Sequence, residues 1–303
     1  MNATLATCMI LATSMAAQDP SHRATRPSTA SASTTVTSKD GTPIAYTRSG
    51  KGPALILVAS ALARRADAAR LATLLAPTFT VLNYDRRGRG DSGDAGTYAV
   101  AREIEDIDAL VGVAGGSAAL FGSSSGAMLA LEAANQLGAR ITGLVLFEPP
   151  CIVDASRAPI PDAFVQRVTA HLAAGRRVAV VREFMQECVG VPEEMLGMLQ
   201  KSPMWPGMEQ VAHTLPYDLT IMAGLMSGKP LPPERWTKLT APTLVIDGER
   251  SDAYLRQAVQ ALCAVLPQAQ RQTLAGQDHS AVFVAPQALV PLVTGFLVKA
   301  GKG

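Results

Sequence analysis

The sequence has little of what marks nucleic-acid-binding and membrane proteins. Charged residues make up 17% of its 303 residues, and the formal net charge is only +2. A nearly neutral chain gives no electrostatic reason to expect a nucleic acid or an anionic membrane as a partner. No apolar run approaches the roughly 18 residues that a membrane-spanning helix needs, so no transmembrane segment is expected. These scarcities favour a small-molecule ligand or substrate, and they leave the oligomeric state open.

Residues that bind metals or form disulfides are also few. The four cysteines, Cys8, Cys151, Cys188 and Cys263, show no C-x-x-C spacing, and the four histidines are far apart in the chain. This spacing argues against a disulfide framework and against a zinc site. We therefore expect neither a metal nor another cofactor.

The N-terminal segment differs from the remainder of the chain. Residues 1–18 resemble a weak signal peptide, but no positive charge precedes their apolar part, and Thr and Ser interrupt it. Residues 19–36 are rich in Ser, Thr and Ala, a composition that predicts disorder. We expect residues 1–34 to be a disordered or signal-like extension. A cytoplasmic location is favoured, and export is the alternative.

Beyond this extension, short apolar segments alternate with amphipathic ones. A hairpin predicted over residues 35–50 is followed by the continuous apolar runs 53–60, 79–85, 141–150 and 241–248. Such runs are typical of strands buried on both faces. Helical segments stand between them. The pattern predicts an α/β fold with a mainly parallel, doubly wound sheet.

The alternation stops between residues 151 and 240. This segment is rich in Met, Pro and amphipathic helix and contains no convincing strand. We predict a helical cap inserted between two strands of a core that consists of residues 35–150 and 241–303. Ligands bind beyond the carboxyl ends of the strands in such a sheet, so an insertion there would cover the site.

A nucleophile is predicted in "GSSSG", residues 122–126. The pentapeptide fits G-x-S-x-G in one register, with Ser124 in the middle. An apolar strand precedes it and a helical segment follows. This strand–turn–helix context exposes the central serine, and the glycines let strand and helix pass closely. A Gly/Ser loop without a catalytic role is the alternative for the pentapeptide alone.

A serine hydroxyl needs a base, and the base needs a carboxylate to orient it. His279 lies in a loop after a late predicted strand, at the same sheet edge as Ser124. Asp252, after the strand "TLVIDG", is the favoured acid. Glu148, at the end of the strand "LVLFEPP", is the alternative.

Two backbone N–H groups are candidates for holding a developing oxyanion. Ser125 begins the helix that follows the nucleophile, where the helix dipole favours negative charge. Ala61 lies in the loop after "LILV" and is the candidate for the second donor.

Together these motifs resemble the α/β-hydrolase superfamily. "LFGSSSGA" resembles its nucleophile elbow, "YDRRGRGDSG" resembles its Y-D-x-R-G-x-G-x-S loop, and "PTLVIDGERSD" followed by "GQDHS" resembles its acid and histidine loops. The resemblance implies a helical cap after the sixth strand. In many members the acid stands at the position of Ser251, one residue before Asp252, and His-Gly stands where this chain has Ala59 and Ser60.

The resemblance implies a serine hydrolase with an acyl-enzyme intermediate. A small or medium, mostly apolar ester or lactone is the expected substrate, because the predicted cap is apolar. A carbon–carbon bond hydrolase, a cofactor-free haloperoxidase and a non-catalytic small-molecule binder are the alternatives. In the cap, the polar candidates for lining the substrate site are Trp205, His213, Tyr217 and Asp218.

Overall fold

The computed structural model of the chain describes residues 34–266 and 268–301. The expected N-terminal extension, residues 1–34, lies outside the described residues except for Thr34, which begins the first strand. The signal-like segment, and the predicted disorder before Thr34, therefore stay predictions. For residues 34–36 the predicted disorder is wrong, because they pair with β2 in the sheet.

The core is an 8-stranded sheet in the order β1-β2-β4-β3-β5-β6-β7-β8. The strands are β1 (Thr34–Thr37), β2 (Pro43–Ser49), β3 (Ala54–Val58), β4 (Thr80–Tyr84), β5 (Ala118–Ser123), β6 (Ile141–Phe147), β7 (Thr243–Gly248) and β8 (Ala269–Leu274). The pairs β1–β2 and β2–β4 are antiparallel, and all other pairs are parallel. The mainly parallel sheet and the hairpin at its edge confirm the predicted fold class.

Helices cover both faces of the sheet because the strands β3 to β7 are apolar on both sides. The core helices are α1 (Ala69–Leu75), α2 (Val100–Val113), α3 (Ser125–Leu137), α9 (Ala253–Val265), α10 (Ala281–Val284) and α11 (Pro286–Ala300). Apolar side chains of α2, α3 and α9 pack on one face. Those of α1, α10 and α11 pack on the other, so the sheet is doubly wound.

Between β6 and β7 the chain forms an insertion of helices and no strand. Its helices are α4 (Asp162–Ala173), α5 (Arg177–Glu183), a π-helix (Phe184–Val189), α6 (Glu193–Gln200), α7 (Trp205–Val211) and α8 (Leu215–Ile221). Phe164, Val180, Leu196 and Leu215 are fully buried in a separate apolar cluster of this insertion. The insertion therefore has its own small core, in the place predicted for the cap.

The order of the strands places a crevice at one edge of the sheet. From β3 the chain goes first to β4 on one side and later to β5 on the other. The carboxyl ends of such diverging strands leave an opening where ligands bind. The segments after β3, β5, β6, β7 and β8 all meet at this edge.

Candidate active site

Ser124 stands on a sharp turn between β5 and α3. Its backbone has φ 54° and ψ −128°, outside the regions that non-glycine residues usually adopt. Gly122 and Gly126 make the turn sterically feasible. A Cβ on Gly122 would lie 2.4 Å from the Gly126 carbonyl oxygen, and one on Gly126 would lie 2.5 Å from that of Ala59. Both glycines are thus required by close backbone contact, as the pentapeptide predicts.

His279 lies in the loop between β8 and α10, and its ring is held by Glu148. Nδ1 of His279 is 2.7 Å from Oε2 of Glu148. The other carboxylate oxygen, Oε1, accepts a hydrogen bond of 2.6 Å from the backbone N–H of Gly248. Glu148 is completely buried, whereas about a third of the His279 side chain is exposed. The carboxylate therefore fixes the orientation of the imidazole and leaves Nε2 for a second partner.

The sequence favours Asp252 over Glu148 as the acid beside His279, and this geometry favours Glu148 instead. Asp252 is half-buried at the N-terminal end of α9 and lines the same cavity as His279. The hydrogen bond to Nδ1 is nevertheless made by Glu148, because the chain turns directly after β6 and brings that side chain beneath the imidazole. Glu148, the alternative from the sequence, is the carboxylate paired with His279.

The two candidate oxyanion donors lie on adjacent segments. Ser125 is the first residue of α3, and Ala61 lies in a turn in which the N–H of Ala63 donates to the carbonyl of Ser60 at 3.3 Å. Both Ala61 and Ser125 line the cavity that contains Ser124 and His279. Within the described residues, neither backbone N–H donates to another protein group. The arrangement leaves both donors available to a ligand atom.

Backbone strain is concentrated at this site. Among the described residues, the non-glycine residues with positive φ are Leu62 at 58°, Ser124 at 54° and Glu148 at 47°. Such conformations cost on the order of 1–3 kcal/mol each and persist only where the surroundings enforce them. Leu62 adjoins the candidate oxyanion donor Ala61, and the other two are the candidate nucleophile and acid. No sequence pattern identifies Leu62 or Glu148 as strained.

A cavity of about 350 Å³ connects these groups with the helical insertion. Ser124, Asp252 and His279 line its sheet side. The side formed by the insertion includes five methionines: Met185, Met204, Met208, Met222 and Met226. Ser124 and His279 line the same cavity, although no hydrogen bond joins Ser124 Oγ to His279 within the described residues.

Three of the four polar side chains predicted to line the substrate site lie outside the cavity lining. Trp205 is buried in the core of the insertion, and its indole N–H donates to Glu209. Tyr217 stacks on Tyr98 with ring centroids 4.0 Å apart and donates to Asp94. His213 is half-buried, and it too is outside the residues that line the cavity. The fourth candidate, Asp218, lines the cavity, as does Met204 beside Trp205, because a helix turns adjacent residues toward different sides.

Among the described residues, no cluster of three or more His, Cys, Asp and Glu side chains is arranged to hold a metal ion. No helix in the described ranges is both long and apolar enough to cross a bilayer.

Comparison with known proteins identifies the family. The sequence model of the alpha/beta hydrolase family matches residues 55–292. The chain belongs to this family and is a hydrolase. No curated protein matches the sequence.

Solved structures agree with this assignment. An alpha/beta hydrolase from Sphaerobacter thermophilus DSM 20745 is 51% identical, with a TM-score of 0.81 over 87% of this chain and 99% of that chain. An esterase from Thermogutta terrifontis, with malate bound, is 21% identical, with a TM-score of 0.65 over 88% of this chain and 98% of that chain. Est816, an N-acyl homoserine lactone degrading enzyme, is 19% identical, with a TM-score of 0.61 over 87% and 100%. The last two show a shared fold.

Proposed function

We propose that this α/β hydrolase is a serine hydrolase that cleaves small or medium, mostly apolar esters or lactones. The observation that carries the proposal is the His279–Glu148 hydrogen bond of 2.7 Å beside a cavity that Ser124 also lines. A buried carboxylate that orients a histidine near a strained serine is the arrangement that activates a hydroxyl nucleophile.

In the proposed reaction, Ser124 Oγ attacks the substrate carbonyl and His279 Nε2 takes the hydroxyl proton. Glu148 accepts from Nδ1–H, which stabilises the imidazolium that forms. The N–H groups of Ser125 and Ala61 bind the oxyanion of the tetrahedral intermediate. His279 then gives its proton to the leaving alkoxide, and an acyl-enzyme remains on Ser124. Water, deprotonated by His279, attacks this ester and releases the acid.

The substrate class rests on the cavity. A volume of about 350 Å³ suits a small or medium ligand, and the methionines on the insertion side offer a flexible apolar surface. We propose that the insertion acts as a cap that holds the acyl or alcohol part of the substrate. Two solved structures with this fold, an esterase and a lactone-degrading enzyme, agree with this substrate class.

Covalent labelling tests the nucleophile. The wild type should react with a fluorophosphonate probe, because attack by Ser124 on phosphorus expels fluoride as His279 takes the proton. Ser124→Ala should abolish labelling and ester turnover while the far-UV circular dichroism stays unchanged. Ser123→Ala is the matched control, since it removes the adjacent hydroxyl, and it should label like the wild type. Substantial ester hydrolysis by folded Ser124→Ala would rule out the proposed mechanism.

A further inference from the structure

The loop after β4 buries three arginines, which need partners to offset the loss of hydration. The side chains of Arg86, Arg87 and Arg89 are each only 1% exposed. Arg86 donates to both oxygens of Glu103 at 2.7 and 2.6 Å. Arg86 and Arg89 form one group, which reaches the active site. Arg87 forms the other group, which does not.

Arg86 and Arg89 converge on Asp218, which comes from helix α8 of the insertion. Asp218 Oδ1 accepts from Arg86 at 2.7 Å, and Oδ2 accepts from Arg89 at 2.5 Å. Asp218 Oδ1 also accepts from the hydroxyl of Ser125 at 2.7 Å. Burial favours the neutral acid, but the two guanidinium groups hold the pKa of the Asp218 carboxyl below its usual range. Asp218 thus links the insertion to the residue after the nucleophile.

The same arginines hold the loop that contains Ala61. Arg86 Nη1 donates to the carbonyl of Ala59 at 3.2 Å. Arg89 Nη1 donates to the carbonyls of Ser60 at 2.6 Å and Ala63 at 3.2 Å. Ala61 therefore lies between backbone groups that the buried arginines hold, and those arginines are in turn paired with Asp218.

We propose that Asp218 is a positioning residue that sets both N–H donors of the oxyanion hole. The inference rests on the proposed function, since it assigns a role within that site. An oxyanion donor must lie about 2.7–3.1 Å from the developing charge, and an error of about 1 Å can cost a hundredfold in rate. Asp218 fixes Ser125 through its hydroxyl and the 59–63 loop through Arg86 and Arg89. The insertion thereby contributes to catalysis as well as to substrate binding.

The chain contains a matched pair for separating this role from simple stabilisation. Arg87 is as buried as Arg89 and pairs with the buried Asp106, at 2.8 and 2.7 Å, and with Asp40. Within the described residues, the hydrogen bonds of Arg87 go to these carboxylates and to the carbonyl of Arg102, and none goes to the 59–63 loop. Asp106, in helix α2, is the buried partner of Arg87 in the same loop, so Asp106→Asn removes a buried charge without touching the oxyanion donors.

The test compares Asp218→Asn with Asp106→Asn on a p-nitrophenyl ester and on its thionoester, in which sulfur replaces the carbonyl oxygen. Sulfur fits an oxyanion hole poorly, so the preference for oxygen reports the placement of the donors. For Asp218→Asn, we expect kcat to fall by about 10- to 100-fold, less than the complete loss of a donor costs. KM should change by less than about threefold, and the oxygen preference should shrink at least fivefold.

Asp106→Asn should lower the melting temperature yet keep the kcat and oxygen preference of the wild type, per folded molecule. Equal behaviour of the two variants would overturn the proposal. If Asp218→Asn does not fold, Ser125→Ala decides, because it removes one hydrogen bond and keeps both arginine pairs. A fall of about tenfold in kcat with a reduced oxygen preference supports the proposal, since Ser125 retains its N–H. If Ser125→Ala keeps the wild-type kcat and the wild-type oxygen preference, the proposal is overturned.

The experiment separates this inference from the proposed function. A wild type that neither labels with fluorophosphonate nor hydrolyses the ester overturns the proposed function itself. A wild type that labels at Ser124, with an Asp218→Asn variant that keeps its kcat and oxygen preference, overturns the role of Asp218 alone.

Discussion

The two sides of the cavity are built in different ways. On the sheet side, Ser124 and Glu148 are strained residues whose backbones continue the hydrogen bonding of the sheet. The N–H of Ser124 donates to the carbonyl of Phe147, and that of Glu148 donates to the carbonyl of Ile246, both at 2.9 Å. The insertion side has methionines and a π-helix instead. Strand ends hold reacting groups in fixed positions, whereas thioether side chains adapt to a ligand.

This difference assigns separate tasks to the two sides. Parallel strands enforce conformations that an isolated loop would relax, so the strain at Ser124 and Glu148 depends on β5, β6 and β7. The insertion has a separate apolar cluster, and its flexible side chains face the cavity. We therefore expect substitutions on the sheet side to change kcat and those on the insertion side to change substrate preference. Asp218 is the exception, because we propose that this insertion residue positions the N–H donors of the oxyanion hole.

Among the variants that compare the two sides of the cavity, the largest loss of kcat is expected for Glu148, the proposed acid. Glu148→Gln should lower kcat by about 10⁴-fold, the cost of a misoriented base in a well-studied triad. The amide keeps the size of the side chain but no longer stabilises the imidazolium. Asp252→Asn is the matched control, since it removes the charge of the second carboxylate on the same side of the cavity, and it should cost less than tenfold.

Steady-state kinetics on a p-nitrophenyl ester measure both variants. A larger loss for Asp252→Asn than for Glu148→Gln would reverse the assignment. Losses below about tenfold for both would mean that neither carboxylate serves His279.

The close contact of strand and helix gives the second prediction. Gly126→Ala places a methyl group 2.5 Å from the carbonyl oxygens of Val58 and Ala59, so β3 and α3 must separate. We expect the free energy of unfolding to fall by about 1–3 kcal/mol, as overpacking typically costs. Fluorophosphonate labelling should also slow, because Ser124 and the 59–63 loop shift.

Gly112→Ala is the control for this glycine. Gly112 lies in helix α2, and a Cβ there meets open space. Alanine should stabilise the helix by about 0.5–1 kcal/mol, with labelling unchanged. Equal urea midpoints for the two variants would show that the contact at Gly126 relaxes freely.

Much of this framework could be predicted from local sequence patterns. Continuous apolar runs predict buried strands, and the runs 79–85 and 241–248 contain β4 and β7. The position of Ser124 on the turn between β5 and α3 could be predicted, because only one register of the pentapeptide satisfies G-x-S-x-G. Gly122 carries a steric requirement from its own turn, because a Cβ there would meet the carbonyl oxygen of Gly126. These features depend on neighbours in sequence, which periodicity and spacing describe.

The remaining features depend on contacts between distant residues. Asp252 and Glu148 both follow a strand at the correct edge, and only the three-dimensional path of the chain shows which one meets His279. In the insertion, polarity suggested both Tyr217 and Asp218 as cavity residues. Tyr217 stacks on Tyr98, and only Asp218 lines the cavity and reaches Ser125. A rotation of one residue along a helix changes the side that a group faces, and a single sequence does not fix that rotation.

The smallest change in kinetics is expected for a variant on the insertion side. This variant tests the difference between the two sides of the cavity most directly. Met208 lines the cavity from helix α7, so Met208→Ala enlarges the acyl or alcohol site without touching the sheet. We expect the ratio of kcat/KM for octanoate over butyrate p-nitrophenyl esters to rise about three- to tenfold, since each buried methylene contributes about 0.8 kcal/mol. The kcat for the preferred ester should stay within about threefold.

Met198→Ala is the control, because Met198 is 49% exposed and is not among the cavity-lining residues. An equal fall in kcat for all chain lengths in Met208→Ala would mean that the insertion shapes the reacting centre as much as the strand ends do.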